Sequence, residues 1–151
     1  HVKPHGALNN MACENLDIAL TIAQTIKNFN KDLIYVVLPL NKMEEAAKKI
    51  NIKYACEIFA DRNYEDNGQL FSRSKENAII TDPTIASNNV IEMLKESSIK
   101  CFSGKKIKCN IDTICIHGDE KNAKNLALAI KRVIIENGIQ LKKLNNLNKF
   151  L

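Results

Sequence analysis

Pairs of charged residues follow three separate segments of this chain, and their types are those that carry out chemistry in protein sites. The pairs are Lys3 with His5, Asp61 with Arg62, and His117 with Asp119. In parallel α/β folds, reactive groups gather at the carboxyl ends of the strands, where the loops begin. Each pair alone is typical of a surface turn, a loop salt bridge or a helix cap. Their joint placement after predicted strands favours a common site at one edge of a sheet.

The histidines and aspartates of these pairs indicate proton transfer or metal binding. His5 and His117 are residues that exchange protons near neutral pH or bind metals, and a glycine follows each of them, which lets a substrate approach closely. Asp61 and Asp119 could orient a histidine, act as a base or bind a metal. The residues alone leave these roles open.

Cationic side chains in the same predicted region indicate a negatively charged ligand. Lys3, Arg62 and Arg73 suit a carboxylate, a phosphate or a developing oxyanion. Glu57 is predicted to share one face of a strand with Phe59 and therefore to point into the interior of the sheet. A buried carboxylate needs a partner, for which Lys3 and Arg62 are the candidates.

Several motifs of nucleotide-binding and catalytic sites are absent from the sequence. The GKK sequence at 104–106 lacks the upstream glycine and the Ser or Thr of a phosphate-binding P-loop. There is also no GxSxG, HExxH or GxGxxG motif. These absences argue against a self-contained kinase, serine hydrolase or dehydrogenase.

Length and composition predict one domain and argue against a nucleic-acid-binding or membrane-spanning protein. The chain has 151 residues, 45% of them hydrophobic, which predicts a single α/β domain over residues 1–151. Its net charge of +5 is spread along the chain and aromatic residues make up only 5%, which argues against nucleic-acid binding. Five cysteines in no metal-ligand spacing predict free, mostly buried thiols in a reducing cytoplasm. No apolar run is long enough to span a membrane.

Hydrophobic periodicity predicts an alternation of strands and helices. Buried strands are predicted at 33–39, 54–60 and 111–117, a further strand before residue 9, a hairpin or a strand with a basic turn at 100–109, and a last short strand at 139–141. Helices are predicted at 9–28, 41–50, 83–97 and 120–137. We expect Asn41, Asp82 and Asp119 to cap the helices that follow them. The alternation predicts an α/β fold with mainly parallel strands, either an open sheet or part of a (β/α) barrel.

Three stretches of the sequence resemble one known family in the same order along the chain. They are VKPHGALNN at 2–10, EIFADRNYEDNGQLFSR at 57–73 and ICIHGDEKNA at 114–123. With the helices between them, they make the chain similar to the LamB/YcsF family over nearly its whole length. The sequence departs from the family pattern at Asn9, where the family has tyrosine, and near Asn77 and Ala78, where the family favours a glycine-alanine pair.

The resemblance implies a fold, an activity and partners. The implied fold is a partial irregular (β/α) barrel of the glycoside hydrolase/deacetylase type, of which this chain would be the carboxyl-terminal portion without the amino-terminal strands. The implied activity is the ATP-dependent opening of the lactam ring of 5-oxoproline to glutamate, together with 5-oxoprolinase subunits of the B and C types. ATP would be shared with or bound by those subunits. The open edges of an incomplete barrel would allow a homo-oligomer.

The resemblance also implies roles for the charged residues. The acid–base group for the ring nitrogen and water would be His5, Asp61, His117 and Asp119, and the groups that bind carboxylate and phosphoryl charge would be Lys3, Arg62, Arg73 and Glu57. Two alternatives stay open. A metal-dependent hydrolase or deacetylase acting on a carbohydrate or an amide would use His5, His117 and Asp119 as ligands of a divalent metal. A catalytically inert chain that only binds partner subunits is the other alternative.

Overall fold

The computed structural model describes residues 1–119 and 122–151. It is a mixed α/β structure with parallel strand pairing, which confirms the predicted fold class. The chain divides into two compact units, His1–Glu57 with Leu144–Leu151 and Ile58–Lys143. The described strands do not close into a barrel. None of the described helices is both long and apolar enough to cross a membrane.

The first unit combines three α-helices with two parallel strands. Its elements are α1 (Gly6–Glu14), α2 (Leu16–Phe29), β1 (Tyr35–Val37), α3 (Lys42–Ile50) and β2 (Tyr54–Phe59), the last of which continues into the second unit. Tyr35 of β1 lies opposite Tyr54 of β2, and Val37 lies opposite Cys56. Every residue of β1 is buried, which explains its uninterrupted apolar sequence. The three helices contact one another, and alanines on them such as Ala12, Ala19 and Ala46 are fully buried.

The single helix predicted at 9–28 is wrong, because the chain breaks at Asn15 into α1 and α2. Asn15 has an extended backbone conformation, and its side-chain oxygen accepts hydrogen bonds from the N–H groups of Asp17 and Ile18 at 2.9 and 3.1 Å. It therefore acts as the N-cap of a new helix, a role in which asparagine competes with helix continuation. The predicted strand before the first helix is reduced to one bridge, in which Val2 pairs in parallel with Tyr35.

A buried thiol joins α1 to the start of α3. The side chain of Asn41 caps α3, as predicted, by accepting from the N–H groups of Met43 and Glu44. Its amide nitrogen donates to Cys13 Sγ at 3.2 Å, and Cys13 Sγ lies 3.6 Å from Met43 Sδ. Burial, and secondly the charge of Glu14, raise the pKa of the Cys13 thiol to about 11. All five cysteines are thiols outside disulfides, and three of them are buried, as predicted.

The second unit begins with the last two residues of β2. Its further elements are α4 (Pro83–Glu96), β3 (Ser98–Lys100), β4 (Lys106–Lys108), β5 (Thr113–Cys115) and α5 (Ala123–Glu136). The predicted Asp82 cap is confirmed, since its carboxylate accepts from the N–H groups of Thr84 and Ile85. β3 and β4 form an antiparallel hairpin, which settles the choice left open for residues 100–109. The core of the unit lies between the end of β2, α4, β3 and α5.

Three further predictions for the second unit are wrong. β5 is only half buried because, among the described strands, only β2 lies beside it. Asp119 does not cap α5, because the N-cap position is Asn122. The side-chain oxygen of Asn122 accepts a hydrogen bond from the Asn125 side chain and does not cap the helix. No strand forms at 139–141, because the N–H of Ile139 closes the end of α5 by donating to the carbonyl of Ile134. The predicted helix residues 120 and 121 lie outside the described residues.

A left-handed residue lies in the loop between β2 and α4. Asn77 has a φ of +61°, and its carbonyl accepts a hydrogen bond from the Asn63 side chain at 2.7 Å. Glycine adopts this conformation without strain, and asparagine tolerates it better than other residues with a Cβ. The backbone at this position therefore favours glycine or asparagine.

We expect Asn77→Ala to lower the free energy of unfolding by about 1 kcal/mol, because alanine is strained at positive φ. Asn77→Gly should leave it within about 0.5 kcal/mol, because relief of strain offsets the greater entropy of the unfolded chain. Urea unfolding of the two variants and the parent protein measures both values. Equal destabilisation by alanine and glycine would instead point to a role for the asparagine side chain.

We expect Cys13 to resist alkylation in the native protein. With its pKa raised to about 11, the thiolate at pH 8 is about 100-fold scarcer than at the ordinary value of 9.0. Iodoacetamide labelling followed by peptide mass spectrometry should therefore show a rate at least about 100-fold lower in native protein than in urea. Equal rates in the two conditions would contradict the buried position of this thiol.

Candidate functional site

A buried aspartate and a half-buried histidine form the central pair of the second unit. Asp61 follows β2 and is only 1% exposed. Its Oδ2 atom lies 2.7 Å from His117 Nδ1 and accepts the backbone N–H of His117 at 2.9 Å. His117 follows β5, and its side chain is 25% exposed. The prediction that polar residues after these two strands meet is therefore confirmed for Asp61 and His117.

Two aromatic residues that sequence reasoning did not assign to the site hold this pair in place. The Phe59 ring stacks on the His117 imidazole, with centroids 5.4 Å apart and planes 28° from parallel. The hydroxyl of Tyr64 accepts the backbone N–H of Phe59 at 2.7 Å. Strand periodicity could have found Phe59, because it is two residues before Asp61 and alternate residues share a face. Tyr64 lies in a polar loop, and the sequence carries no signal of its burial.

The geometry fixes which histidine nitrogen is available for chemistry. With Asp61 ionised, its carboxylate only accepts hydrogen bonds, and His117 Nδ1 then carries the proton that points toward Asp61. In the neutral imidazole, Nε2 is then the basic nitrogen. The carboxylate stabilises the imidazolium that forms when Nε2 takes up a proton, which is the arrangement of a general base held by an acidic partner. Asp61 Oδ1 is also buried and has no hydrogen-bond partner within the described part of the chain.

Arg62 and Arg73 place two positive charges in the loop after β2. Arg62 is buried, and its guanidinium donates to the backbone carbonyls of Phe71 and Ala78. Burial, and secondly the charge of Arg73, lower the pKa of Arg62. Arg73 itself is exposed. That either residue binds an anion stays a prediction.

The first unit contains a second predicted pair, Lys3 and Glu57. The ammonium of Lys3 forms an ion pair with Glu57 Oε2, and both side chains are largely buried. Glu57 lies on β2, and Lys3 follows Val2, which bridges to Tyr35 of β1. The partner proposed for the buried glutamate is therefore confirmed as Lys3. Direct contact of either group with a ligand stays a prediction.

His5 and Asp119 are exposed and are not part of either pair. His5 occupies the N-cap position of α1 without a side-chain capping bond, and Asp119 lies in a turn after His117. Within residues 1–119 and 122–151, no three His, Cys, Asp or Glu side chains are close enough to hold a metal ion. That His5, His117 and Asp119 bind a metal stays a prediction.

Comparison with known proteins identifies similar sequences and a similar structure. The model of the LamB/YcsF family matches residues 1–149. The chain is 42% identical over 146 residues to the 5-oxoprolinase A subunit of Campylobacter jejuni subsp. doylei, covering 97% of this chain and 57% of the relative. It is 42% identical over 147 residues to the 5-oxoprolinase A subunit of Clostridium beijerinckii, covering 97% and 58%.

A solved structure has the same fold. The crystal structure of a lactam utilization protein from Thermus thermophilus superposes with a TM-score of 0.85 at 36% identity, covering 94% of this chain and 56% of that one. The chain thus spans somewhat more than half the length of the proteins that it matches.

The pairing of Asp61 with His117 predicts an unusual imidazole tautomer. We expect long-range ¹H–¹⁵N NMR of the neutral protein to show the proton of His117 on Nδ1, because Asp61 Oδ2 accepts there. The exposed His5 serves as an internal control and should show the ordinary mixture dominated by Nε2–H. A proton on Nε2 of neutral His117 would contradict the hydrogen bond.

Proposed function

The chain belongs to the LamB/YcsF family, and from this premise we propose that it acts within the A subunit of a 5-oxoprolinase. The activity proposed is ATP-dependent hydrolysis of the lactam ring of 5-oxoproline to glutamate. The family match over residues 1–149 is the observation that carries the proposal. The names of the similar proteins, which are 5-oxoprolinase A subunits and a lactam utilization protein, agree with it. That the relatives are named as subunits supports partner chains, which we propose to be of the B and C types.

The reaction needs an acid–base group that serves both water and the ring nitrogen. In the hydrolysis, the oxygen of water bonds to the lactam carbonyl carbon, the carbon–nitrogen bond breaks and the ring nitrogen gains a proton. One base that takes a proton from water and returns it to nitrogen satisfies both steps. We assign this role to His117 Nε2, since Nδ1 is bonded to Asp61.

Asp61 would act on the reaction through the histidine. Its carboxylate fixes the tautomer and the ring orientation, and it offsets the positive charge that the imidazole gains during proton transfer. Phe59 limits rotation of the same ring from one face. His5 and Asp119 are proposed as further acid–base groups on the resemblance alone.

Anionic groups of the reactants need cations. ATP would supply the phosphoryl group that activates the lactam carbonyl oxygen and would leave as ADP, and a second water would release that group as phosphate after the ring has opened. We place ATP binding with the partner subunits or shared with them. The exposed guanidinium of Arg73 fits a phosphoryl group because an anion beside it would reduce the repulsion between Arg73 and Arg62. Lys3, held by Glu57, is the cation that we propose for the substrate carboxylate.

We expect His117→Ala to lower kcat for glutamate release by about 100-fold or more, the usual loss on removing a general base. The assay uses the full-length protein with its partner subunits, ATP and 5-oxoproline, and measures glutamate and ADP together. Arg132→Ala is the matched control, because that side chain is 78% exposed on α5 and should leave kcat unchanged.

The outcomes separate the hypotheses. Unchanged glutamate release in His117→Ala would remove His117 from the reaction while leaving the activity in place. A parent protein that releases no glutamate with its partners would contradict the proposed activity. Partner binding without turnover would then support the inert alternative.

A further inference from the structure

The loop between β2 and α4 is closed at its base by backbone hydrogen bonds. The N–H of Ile80 donates to the carbonyl of Asp61 at 2.9 Å, and the N–H of Asn63 donates to the carbonyl of Ala78 at 3.2 Å. Arg62 and Ile79 form an isolated antiparallel bridge between these contacts. The loop thus leaves and returns directly beside Asp61.

The Arg62 side chain adds a second closure inside this loop. Its Nε donates to the carbonyl of Ala78 at 3.3 Å, and its Nη2 donates to the carbonyl of Phe71. The residue is 8% exposed, so its charge is largely removed from water and depends on these acceptors. A guanidinium can bond two separate carbonyls with different nitrogens in fixed geometry, whereas a lysine donates from a single atom.

The segment held between these two carbonyls is otherwise exposed. Residues 72–77 are all exposed, and they include Arg73. The charge of Arg73 acts on Arg62, so the two guanidinium groups lie within electrostatic range of each other. A fixed segment would hold Arg73 in this region at lower entropic cost than a free loop.

We propose that Arg62 is a positioning residue: its bonds to the carbonyls of Phe71 and Ala78 fix residues 72–77 and so place Arg73 for anion binding. This replaces the predicted role of Arg62 as a direct anion ligand. The part concerning the anion rests on the proposed function, whereas the closure of the loop does not.

Hydrogen exchange of the full-length protein tests the loop closure without any assay of activity. Arg62→Lys keeps the positive charge but loses the two separate nitrogen donors of the guanidinium. In this variant we expect the N–H groups of Phe71 and Ile80 to exchange at least about tenfold faster than in the parent protein. The N–H groups of Cys101 and Cys109 in the β3–β4 region should be unchanged, which shows that the unit is folded. Unchanged exchange at Phe71 and Ile80 overturns the proposal.

A double-mutant cycle tests the consequence for the anion. If Arg62 acts through Arg73, Arg62→Lys should raise the KM for ATP more than it lowers kcat. The double variant Arg62→Lys/Arg73→Ala should then have the same KM for ATP as Arg73→Ala alone. Two independent anion ligands would instead give multiplied increases in KM, and this result would overturn the positioning role. If the parent protein does not hydrolyse 5-oxoproline, the proposed function fails, and hydrogen exchange still decides the loop closure.

Discussion

The buried carboxylate of Asp61 is the constraint on which the second unit depends. An uncompensated buried charge costs several kcal/mol, so its neighbours must supply donors. His117 supplies two of them, one from the backbone and one from the ring, while the carbonyl of Asp61 accepts the N–H of Ile80. The Asp61 carboxylate therefore links His117, which follows β5, to the end of β2. The backbone carbonyl of Asp61 holds the end of the returning loop at Ile80. The same bonds that stabilise the Oδ2 atom of the carboxylate also orient the imidazole.

Much of the fold follows from local physics that the sequence records directly. Mostly apolar runs predicted the buried strands β1 and β2, because a strand covered on both faces has few polar positions. Glu57 of β2 is such a position, and its ion pair with Lys3 compensates its burial. Asn41 and Asp82 were predictable caps, since short polar side chains satisfy the free N–H groups of a first helical turn. The position of Asp61 and His117 after strands also predicted that they lie at the same sheet edge.

The features that sequence reasoning missed depend on a choice between partners that the sequence does not record. Asn15 lies within an apolar pattern that suits one helix, yet its side chain binds the next two N–H groups and starts another. Asn122 could cap α5, but its oxygen accepts from Asn125. The bonds of Arg62 to carbonyls nine and sixteen residues away could not be predicted from its residue type, which suggested an anion ligand. Asn15 and Asn122 each choose among partners two or three residues away, whereas the partners of Arg62 are brought to it by the fold.

The two departures from the family pattern have different physical meanings. At Asn77 the backbone is left-handed, and asparagine is the residue that best replaces glycine there, so the loop conformation is kept. Asn9 is buried on α1, where its amide nitrogen lies 3.8 Å from Cys13 Sγ. Its oxygen has no partner in the described part of the chain, a state that costs about 1–3 kcal/mol for a buried acceptor. Asn77 therefore meets a backbone requirement, whereas Asn9 is a buried polar group whose hydrogen bonding the first unit only half satisfies.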